Sequence, residues 1–260
     1  MTRNLLAVVA HPDDDAFGFA GTVALHAADP DFRFTLVHAT DGEAGQIARG
    51  SGATRETLGA VRREEDRRGW RVVGRTPDRH EWLGLPDGGL ADLAGAELVD
   101  RIAEIMAEDR PDVVLTFGPD GITGHPDHIA VGDATSEAFL RFAGDGGPGF
   151  RRLLHGAIRQ SVIDIWNRQR AAEGLETFDP TRIYHPRGVP DERIDIVVDT
   201  SSVAHLVRAG MLEHRTQWAD VNPPDVPESD MLRNVSREAL VIAWPCERPQ
   251  HVLRDVFEGL

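Results

Sequence analysis

Continuous apolar runs alternate with helix-like repeats along the first half of the chain. Runs rich in valine, leucine and phenylalanine predict strands at 5–10, 32–40 and 112–118. Apolar residues that recur every three or four positions predict helices at 21–29, 54–70, 94–111 and 127–143. Strands that alternate with helices are typical of βαβ units. The pattern therefore predicts an α/β fold, in which a Rossmann-like, mainly parallel sheet carries helices on both faces.

The pattern becomes less regular after a glycine-rich segment at 144–149. Beyond this segment we predict strands at 193–200 and 238–244 and a helix at 201–218. The sequence contains no internal repeat and no low-complexity tract. We therefore predict a single domain over residues 1–260, with a core over about 1–145 and a smaller C-terminal elaboration over about 150–260.

The acidic composition narrows the range of partners. The 260 residues include 43 acidic and 28 basic side chains, which gives a formal net charge of −15. Nucleic acids and anionic membranes bind basic surfaces, and the sequence contains no basic cluster. We therefore expect a small-molecule substrate and no nucleic-acid or membrane partner, and we leave the formation of a homo-oligomer open.

Two further features of the sequence indicate the cytoplasm. Cys246 is the single cysteine, so the chain forms no internal disulfide. The apolar run near the N-terminus is shorter than the apolar region of a signal peptide or a membrane span, and acidic residues follow it at once. The sequence thus predicts a cytoplasmic protein.

Polar, acidic stretches follow each of the three clearest strands. They are HPDDD at 11–15, TDGEAG at 40–45 and GPDGITGHPDH at 118–128. The carboxyl ends of parallel strands lie at one edge of a sheet, so these loops should converge on one crevice. Ligands of open α/β sheets bind in such a crevice.

The residue types in these loops suit a divalent metal ion. Histidine nitrogen and carboxylate oxygen bind zinc-like ions, and a catalytic zinc uses three protein ligands and leaves one position for water. His11 and Asp14 offer two ligands, and His125 or His128 offers the third. Either motif alone could be structural, as a helix cap or a polar turn. Their occurrence together at strand ends favours a metal site.

Several motifs together resemble one enzyme family. AHPDD at 10–14, TDGEAG at 40–45 and GHPDH at 124–128 resemble the PIG-L/LmbE family of metal-dependent N-deacetylases, and RREE, LGLPDGGL and EHRTQ extend the resemblance. It is dense over the first half of the chain and thin over the rest. The resemblance implies a hydrolase that removes an acetyl or other N-acyl group from an N-acylated amino sugar or glycoside.

The resemblance also implies a role for most residues of the two histidine motifs. His11, Asp14 and His128 would bind Zn²⁺, with Fe²⁺ or another divalent ion as the alternative. Asp13 would act as the general base that takes a proton from water. His125 would stand opposite and stabilise the tetrahedral oxyanion.

The remaining candidate residues would act around the metal. Asp127 would orient His125 or a metal ligand, and Asp15 would cap the following helix. By the same resemblance, Arg62 in RREE and Asp87 in LGLPDGGL would bind the substrate. Both have a structural alternative, because arginines on a helix commonly form ion pairs and PDGG is an ordinary turn.

Two positions depart from particular members of the family. The mycothiol-pathway deacetylase has a tyrosine where this chain has Thr123, and the mycothiol-conjugate amidases have a lysine near Gly18 and Phe19. Both departures argue against those particular substrates. Two alternatives to an amino-sugar deacetylase therefore stay open. One is an amidase that acts on a non-sugar secondary metabolite or thiol conjugate, and the other is a metal-containing carbohydrate-binding protein without turnover.

Overall fold

A continuous sheet of eight strands forms the centre of the part of the chain that the structure describes. The computed structural model describes residues 3–93, 95–218, 222–223 and 226–260. In chain order the strands are β1 (Arg3–Val9), β2 (Phe32–Thr40), β3 (Arg79–Leu85), β4 (Val113–Phe117), β5 (Arg152–Arg159), β6 (Gly188–Val189), β7 (Ile196–Asp199) and β8 (Arg237–Trp244).

The sheet is mostly parallel. Its strands lie in the order β3-β2-β1-β4-β5-β8-β7, and β6 pairs with the end of β5. The strands from β1 to β5 run parallel, whereas β8 is antiparallel to both β5 and β7. The strand order reverses between β1 and β4. In open α/β sheets, such a reversal opens the crevice in which ligands bind.

Nine α-helices and three short 3₁₀-helices surround the sheet in the described ranges. The α-helices are α1 (Asp14–Gly18), α2 (Ala20–Leu25), α3 (Leu58–Val73), α4 (Gly95–Asp109), α5 (Gly121–Gly124), α6 (Pro126–Leu140), α7 (Gln160–Ala172), α8 (Ala204–Met211) and α9 (Glu228–Asn234). The 3₁₀-helices span Leu90–Asp92, Asp191–Arg193 and Arg215–Gln217. The predicted α/β fold with a mainly parallel sheet is confirmed. No helix in the described ranges has the length and apolarity that a membrane span requires.

Helices cover both faces of the sheet. Successive side chains of a strand point to opposite faces, and residues 5–9 of β1 are all at most 3% exposed. The helices α1, α2 and α3 contact α8, whereas α4 packs against α6, which also contacts β1 and β4. Burial on both faces explains why β1 is an unbroken apolar run in the sequence.

The helix α6 carries one half of the predicted metal site and packs closely on the sheet. Pro126 occupies its first turn, and the side chain of His125, the N-cap, accepts a hydrogen bond from the Asp127 N–H. Gly132 faces β4, where a Cβ atom would lie 2.6 Å from the carbonyl oxygen of Phe117. The missing side chain of Gly132 therefore lets α6 approach β4.

Several elements differ from the sequence-based expectation, and two strands and one helix show why. The apolar pattern does not predict β3 and β5, because both strands mix buried with partly exposed positions. The predicted helix at 201–218 is wrong in its length, since α8 ends at Met211 and a separate 3₁₀ turn follows at Arg215–Gln217.

The C-terminal part of the chain extends the same sheet. β5 follows the glycine-rich segment at 144–149 and pairs with β4, and β8 and β7 continue the sheet beyond it. On this continuity we propose that residues 1–260 form a single domain.

Candidate metal centre and active site

The predicted crevice lies where the strand order reverses. The loop after β1 contains His11 and leads into α1, and the loop after β4 leads through α5 into α6. Because β1 and β4 are neighbours in the sheet, the two loops meet. They bring His11 and His128 into contact across 117 positions of sequence.

Three side chains from the two loops form a compact ligand set. His11 Nδ1 lies 3.3 Å from Asp14 Oδ2 and 3.3 Å from His128 Nε2. His128 Nε2 lies 3.2 Å from Asp14 Oδ1. The structure thus brings together the three residues that the sequence predicts as metal ligands.

The separation of the two histidine nitrogens fits a tetrahedral metal ion, and Asp14 places one carboxylate oxygen near each nitrogen. Zinc–ligand distances of about 2.0 to 2.1 Å correspond to separations of about 3.3 Å between the ligand atoms of a tetrahedron. The hydrogen bonding of His128 agrees with this fit. Its Nδ1 lies 3.0 Å from the Gly121 carbonyl oxygen, so Nδ1 carries the proton and Nε2 keeps a lone pair for a metal. Phe117 stacks on the same ring at a centroid distance of 4.2 Å.

The charges around His11 favour a bound cation. The Nε2 atom of His11 lies 3.0 Å from Asp87 Oδ1 and 3.4 Å from Asp127 Oδ2. Burial lowers the pKa of His11, but Asp127, Asp14 and Asp87 outweigh burial and raise that pKa well above its usual range. A carboxylate that contacts the outer nitrogen of a metal-binding histidine is a recurrent arrangement in metal sites, because it orients the ring.

Asp13 lies next to the ligand Asp14 in a strained backbone conformation. Its φ angle is +123°, in the region that favours glycine. Its Oδ2 atom lies 3.1 Å from Arg62 Nη2. Burial raises the pKa of Asp13 to about 7, although the charge of Arg62 acts in the opposite direction. A carboxylate with such a pKa is suited to accept a proton near neutral pH.

Arg62 lies beneath this loop, and its guanidinium contacts other groups of the protein. Its side chain is 4% exposed. Nη2 donates a hydrogen bond of 2.6 Å to the Pro12 carbonyl oxygen, and Nη1 donates one of 2.9 Å to that of Gly42. The resemblance implies that Arg62 binds the substrate, whereas these donors contact carbonyl groups of the protein. We interpret Arg62 as a residue that positions Asp13.

His125 stands next to the ligand set. Its ring centroid lies 4.8 Å from the ring centroids of both His11 and His128. Because Nδ1 accepts the Asp127 N–H, the ring proton of a neutral His125 lies on Nε2, which can donate a hydrogen bond. Burial lowers the pKa of His125 to about 4, and the charges of His11 and His128 add to this effect. His125 is therefore an uncharged donor at neutral pH.

The side chains of Asp127 and Asp87 tie the other strand-end loops to His11. Asp127 accepts hydrogen bonds of 2.7 and 3.1 Å from two backbone N–H groups of the loop after β3. The resemblance implies that Asp127 orients either His125 or a metal ligand. Its carboxylate contacts His11, a candidate metal ligand. Asp87, predicted to bind substrate, accepts a hydrogen bond of 2.8 Å from the Ala44 N–H in the loop after β2. The four loops that follow β1, β2, β3 and β4 thus converge on one site.

Asp15 does more than the helix-capping role assigned from the sequence. It accepts the Asp13 N–H at 3.3 Å near the start of α1, but it is also completely buried. Its Oδ2 accepts a hydrogen bond of 2.6 Å from Trp70 Nε1, and its Oδ1 lies 3.4 Å from His38 Nε2. His38 Nδ1 in turn lies 3.0 Å from His80 Nε2. Asp15 therefore anchors a buried polar network beneath the site.

An aromatic residue of a distant loop lies beside the site, although it belongs to none of the motifs. Tyr184 belongs to the loop between α7 and β6, and its ring centroid lies 5.4 Å from that of His125. It is the single tyrosine of the chain. No pattern in the sequence predicts its position, because the loop meets the site only in the folded chain.

Comparison with known proteins agrees with this geometry. The PIG-L family model, described as GlcNAc-PI de-N-acetylase, matches residues 6–139, which is more than half of the chain. The chain belongs to the PIG-L family. The matched range begins in β1 and ends in α6, so it contains all four strand-end loops that form the site.

A curated protein extends this PIG-L similarity into the C-terminal part of the chain. The 1D-myo-inositol 2-acetamido-2-deoxy-alpha-D-glucopyranoside deacetylase of Kineococcus radiotolerans is 31% identical, over 94% of this chain and 76% of that protein. The similarity therefore includes strands and helices beyond the matched family range.

Solved structures share the PIG-L fold at lower identity. N,N'-diacetylchitobiose deacetylase from Pyrococcus horikoshii has a TM-score of 0.61 and 21% identity, over 92% of this chain and 82% of that chain. The 4-carboxy-2-hydroxymuconate hydratase from Pseudomonas putida also has a TM-score of 0.61, with 17% identity over 96% of this chain and 100% of that chain. The two names describe different reactions, so the reaction has to be argued from the site.

Proposed function

We propose that this protein is a zinc-dependent N-deacetylase that hydrolyses the acetamide group of an N-acetylated amino sugar. The observation that carries the proposal is the close approach of ligand atoms from His11, Asp14 and His128. Amide hydrolysis also needs a base and an oxyanion donor beside the ion, and Asp13 and His125 have the chemistry for these roles. The names of the curated relative and of the chitobiose deacetylase support the sugar substrate.

The ligand set favours zinc among divalent ions. Two imidazole nitrogens and one carboxylate suit zinc, whereas magnesium and calcium prefer oxygen ligands and higher coordination numbers. Iron(II) binds the same residue types and is the alternative. Bound by His11, Asp14 and His128, the ion would supply Lewis acidity that activates water and polarises the amide carbonyl.

Asp13 transfers a proton in this mechanism, first as a general base and then as a general acid. Its carboxylate takes one proton from the water molecule that attacks the carbonyl carbon, and the same carboxyl group then gives that proton to the departing amine nitrogen. The carbon–nitrogen bond breaks, and the products are the free amine and acetate. The ion pair with Arg62 holds the carboxylate in one place, so little reorganisation precedes the transfer.

His125 stabilises the charge that develops on the carbonyl oxygen. Its Nε2–H is free to donate, because Nδ1 is occupied by the Asp127 N–H. A donor that is fixed before the reaction stabilises an oxyanion more than the neutral carbonyl. Asp87 and Asp127 contact His11 through Nε2, the nitrogen that does not face the ion, and thereby orient a metal ligand.

The direct test is the release of free amine and acetate by the zinc-loaded protein. The substrates would be N-acetylglucosaminyl-inositol, N,N'-diacetylchitobiose and N-acetylethanolamine, a small acetamide without a sugar ring. We expect turnover of at least one sugar and a much lower kcat/KM for N-acetylethanolamine. Preference for the non-sugar amide would support the amidase alternative, and sugar binding without amine release would support a non-catalytic binding protein.

Two variants separate the base from the metal ligands. Asp13→Asn retains the shape of the side chain and all three ligands, so we expect full zinc content and a loss of about 10²- to 10⁴-fold in kcat. His128→Ala should lose zinc and stay folded, because the core of the sheet does not depend on this side chain. Metal analysis and circular dichroism check both results, with the exposed His251→Ala as the control. Loss of zinc from Asp13→Asn would make Asp13 a ligand.

A further inference from the structure

The loop between α7 and β6 docks on α5, the short helical turn in the loop between β4 and α6. The Tyr184 N–H donates a hydrogen bond of 2.9 Å to the Thr123 carbonyl oxygen, and the Arg187 N–H donates one of 2.7 Å to that of Ile122. The guanidinium of Arg187 occupies the space that a Cβ of Gly124 would fill. The two loops therefore pack directly together, next to the histidine motif of α6.

The docked loop is also held by hydrogen bonds of its own. The Asp179 carboxylate accepts bonds of 2.9 and 2.7 Å from the N–H and hydroxyl of Thr181. The Asp179 N–H donates a bond of 2.8 Å to His185 Nδ1, and the Phe178 N–H donates one of 2.7 Å to Asn167 in α7. Although its surface is exposed, the loop forms a wall of defined shape beside the site.

Tyr184 belongs to this wall and has a strained backbone conformation. Its φ angle is +68°, a region that bulky residues rarely adopt. The residue is 71% exposed, so burial does not offset the strain. Its ring stands at 72° to the ring of His125, with 5.4 Å between the centroids. Backbone strain, an exposed aromatic ring and contact with His125 together indicate that the ring meets a ligand.

We propose that Tyr184 contacts the substrate and is the platform on which its pyranose ring packs. This inference rests on the proposed function. A pyranose presents C–H groups on its faces and hydroxyl groups at its edge, so a face can leave water against an aromatic ring while the hydroxyls stay hydrated. A sugar that packs on Tyr184 has its ring substituents within reach of His125, where the acetamide is to be hydrolysed.

A structural role for Tyr184 makes a different prediction from the platform. If the ring only supported His125, its removal would slow the chemical step on every amide. If the ring binds the sugar, its removal weakens binding of sugars and leaves other amides unaffected. The sugar would pack on the face of the ring and not on the phenol hydroxyl. Tyr184→Phe should therefore bind the sugar as well as the wild type does.

The test compares Tyr184→Ala and Tyr184→Phe with the zinc-loaded wild-type protein. The matched control is Ile183→Ala, which removes an adjacent side chain of the same loop that is 50% exposed. For N-acetylglucosaminyl-inositol, we expect Tyr184→Ala to raise KM about 3- to 10-fold while kcat changes little. Tyr184→Phe and the control should resemble the wild type. The kcat/KM of Tyr184→Ala for N-acetylethanolamine should be unchanged.

Three outcomes would overturn the platform. They are an unchanged KM for the sugar in Tyr184→Ala, an equal fall in kcat on the sugar and on N-acetylethanolamine, and an equal loss in Tyr184→Phe and Tyr184→Ala. Calorimetric binding of N-acetylglucosamine to zinc-loaded Asp13→Asn, with and without Tyr184→Ala, measures the same contact with little turnover. If the proposed function is wrong, the wild-type protein will release no amine. If only the platform is wrong, the wild-type protein will be active and Tyr184→Ala will bind the sugar as well as the wild type does.

Discussion

Asp13 and the buried Arg62 form an ion pair at the edge of the candidate metal site. Through the carbonyl groups of Pro12 and Gly42, Arg62 also ties the loop after β1 to the loop after β2. A general base must lie within hydrogen-bond reach of its water, and a displacement of about 1 Å can cost about 100-fold in rate. Under the proposed mechanism, we therefore expect Arg62 to contribute to the rate by fixing the Asp13 carboxylate and not by binding the substrate.

Arg62→Gln should lower kcat about 10- to 100-fold and leave KM and zinc content nearly unchanged, because the base loses its position while the ligands remain. Arg62→Lys keeps the charge without the planar fork of donors and should recover part of kcat. Steady-state kinetics on N-acetylglucosaminyl-inositol measure both variants. The control is Arg67→Gln, since the Arg67 side chain lies on the same helix and is 47% exposed. A raised KM at unchanged kcat would show that Arg62 binds the substrate.

The sequence predicts the candidate ligand residues that the structure brings together, but it does not predict the buried contacts beneath them. His11, Asp14 and His128 belong to two short motifs at strand ends, and the parallel sheet brings such ends together. The partners of Asp15 and Arg62 follow no local pattern. Asp15 meets Trp70 across 55 positions, and this contact depends on how α3 packs in the folded chain.

At the scale of secondary structure, α6 links the metal site to the sheet. Its first turn supplies His125, Asp127 and His128, and its middle contacts β4 through Gly132. A helix moves as a rigid unit, so a displacement at Gly132 is transmitted to the first turn. The spacing of the ligand atoms therefore depends on a close contact between a helix and a strand.

Gly132→Ala should destabilise the protein by about 1 to 3 kcal/mol, because the new Cβ would meet the Phe117 carbonyl oxygen and push α6 outward. Zinc affinity should fall as well, since His128 moves with the helix. Urea unfolding and zinc titration measure the two effects. Gly18→Ala is the matched control, because its Cβ would meet open space. Wild-type stability and zinc affinity in Gly132→Ala would show that the spacing tolerates a shift of α6.

The elements that the sequence predicts are those with a uniform environment. β1 is buried on both faces and β2 nearly so, which gives each strand an apolar run. β3 forms an edge of the sheet, and the second half of β5 is only partly buried, so polar residues interrupt both patterns. The glycine-rich segment at 144–149 resembles a domain boundary in sequence, yet it leads directly into a central strand.

At the scale of the whole molecule, Glu238 joins the last strand to the first part of the chain. Its carboxylate lies in β8 and accepts hydrogen bonds of 2.7 and 3.0 Å from the N–H groups of Gly21 and Thr22 in α2. Glu238 is 9% exposed. Burial raises the pKa of Glu238 to about 7, although these hydrogen bonds act in the opposite direction. We therefore expect this carboxyl group to give the stability of the fold a specific dependence on pH.

Glu238→Gln should remove that dependence. With a pKa raised by burial to about 7 in the folded protein, against the ordinary value of 4.5, Glu238 should keep its proton to higher pH in the folded state than in the unfolded state. Between these values the folded state binds more protons, so the free energy of unfolding of the wild type should fall relative to the variant as pH rises, by up to about 1.4 kcal/mol per pH unit. Below and above this window the two profiles should run parallel. Urea unfolding from pH 4 to pH 8 at equal zinc content measures the difference, with the exposed Glu137→Gln as the control. Parallel profiles across the whole range would mean that Glu238 stays ionised in the fold and that its hydrogen bonds to α2 outweigh burial.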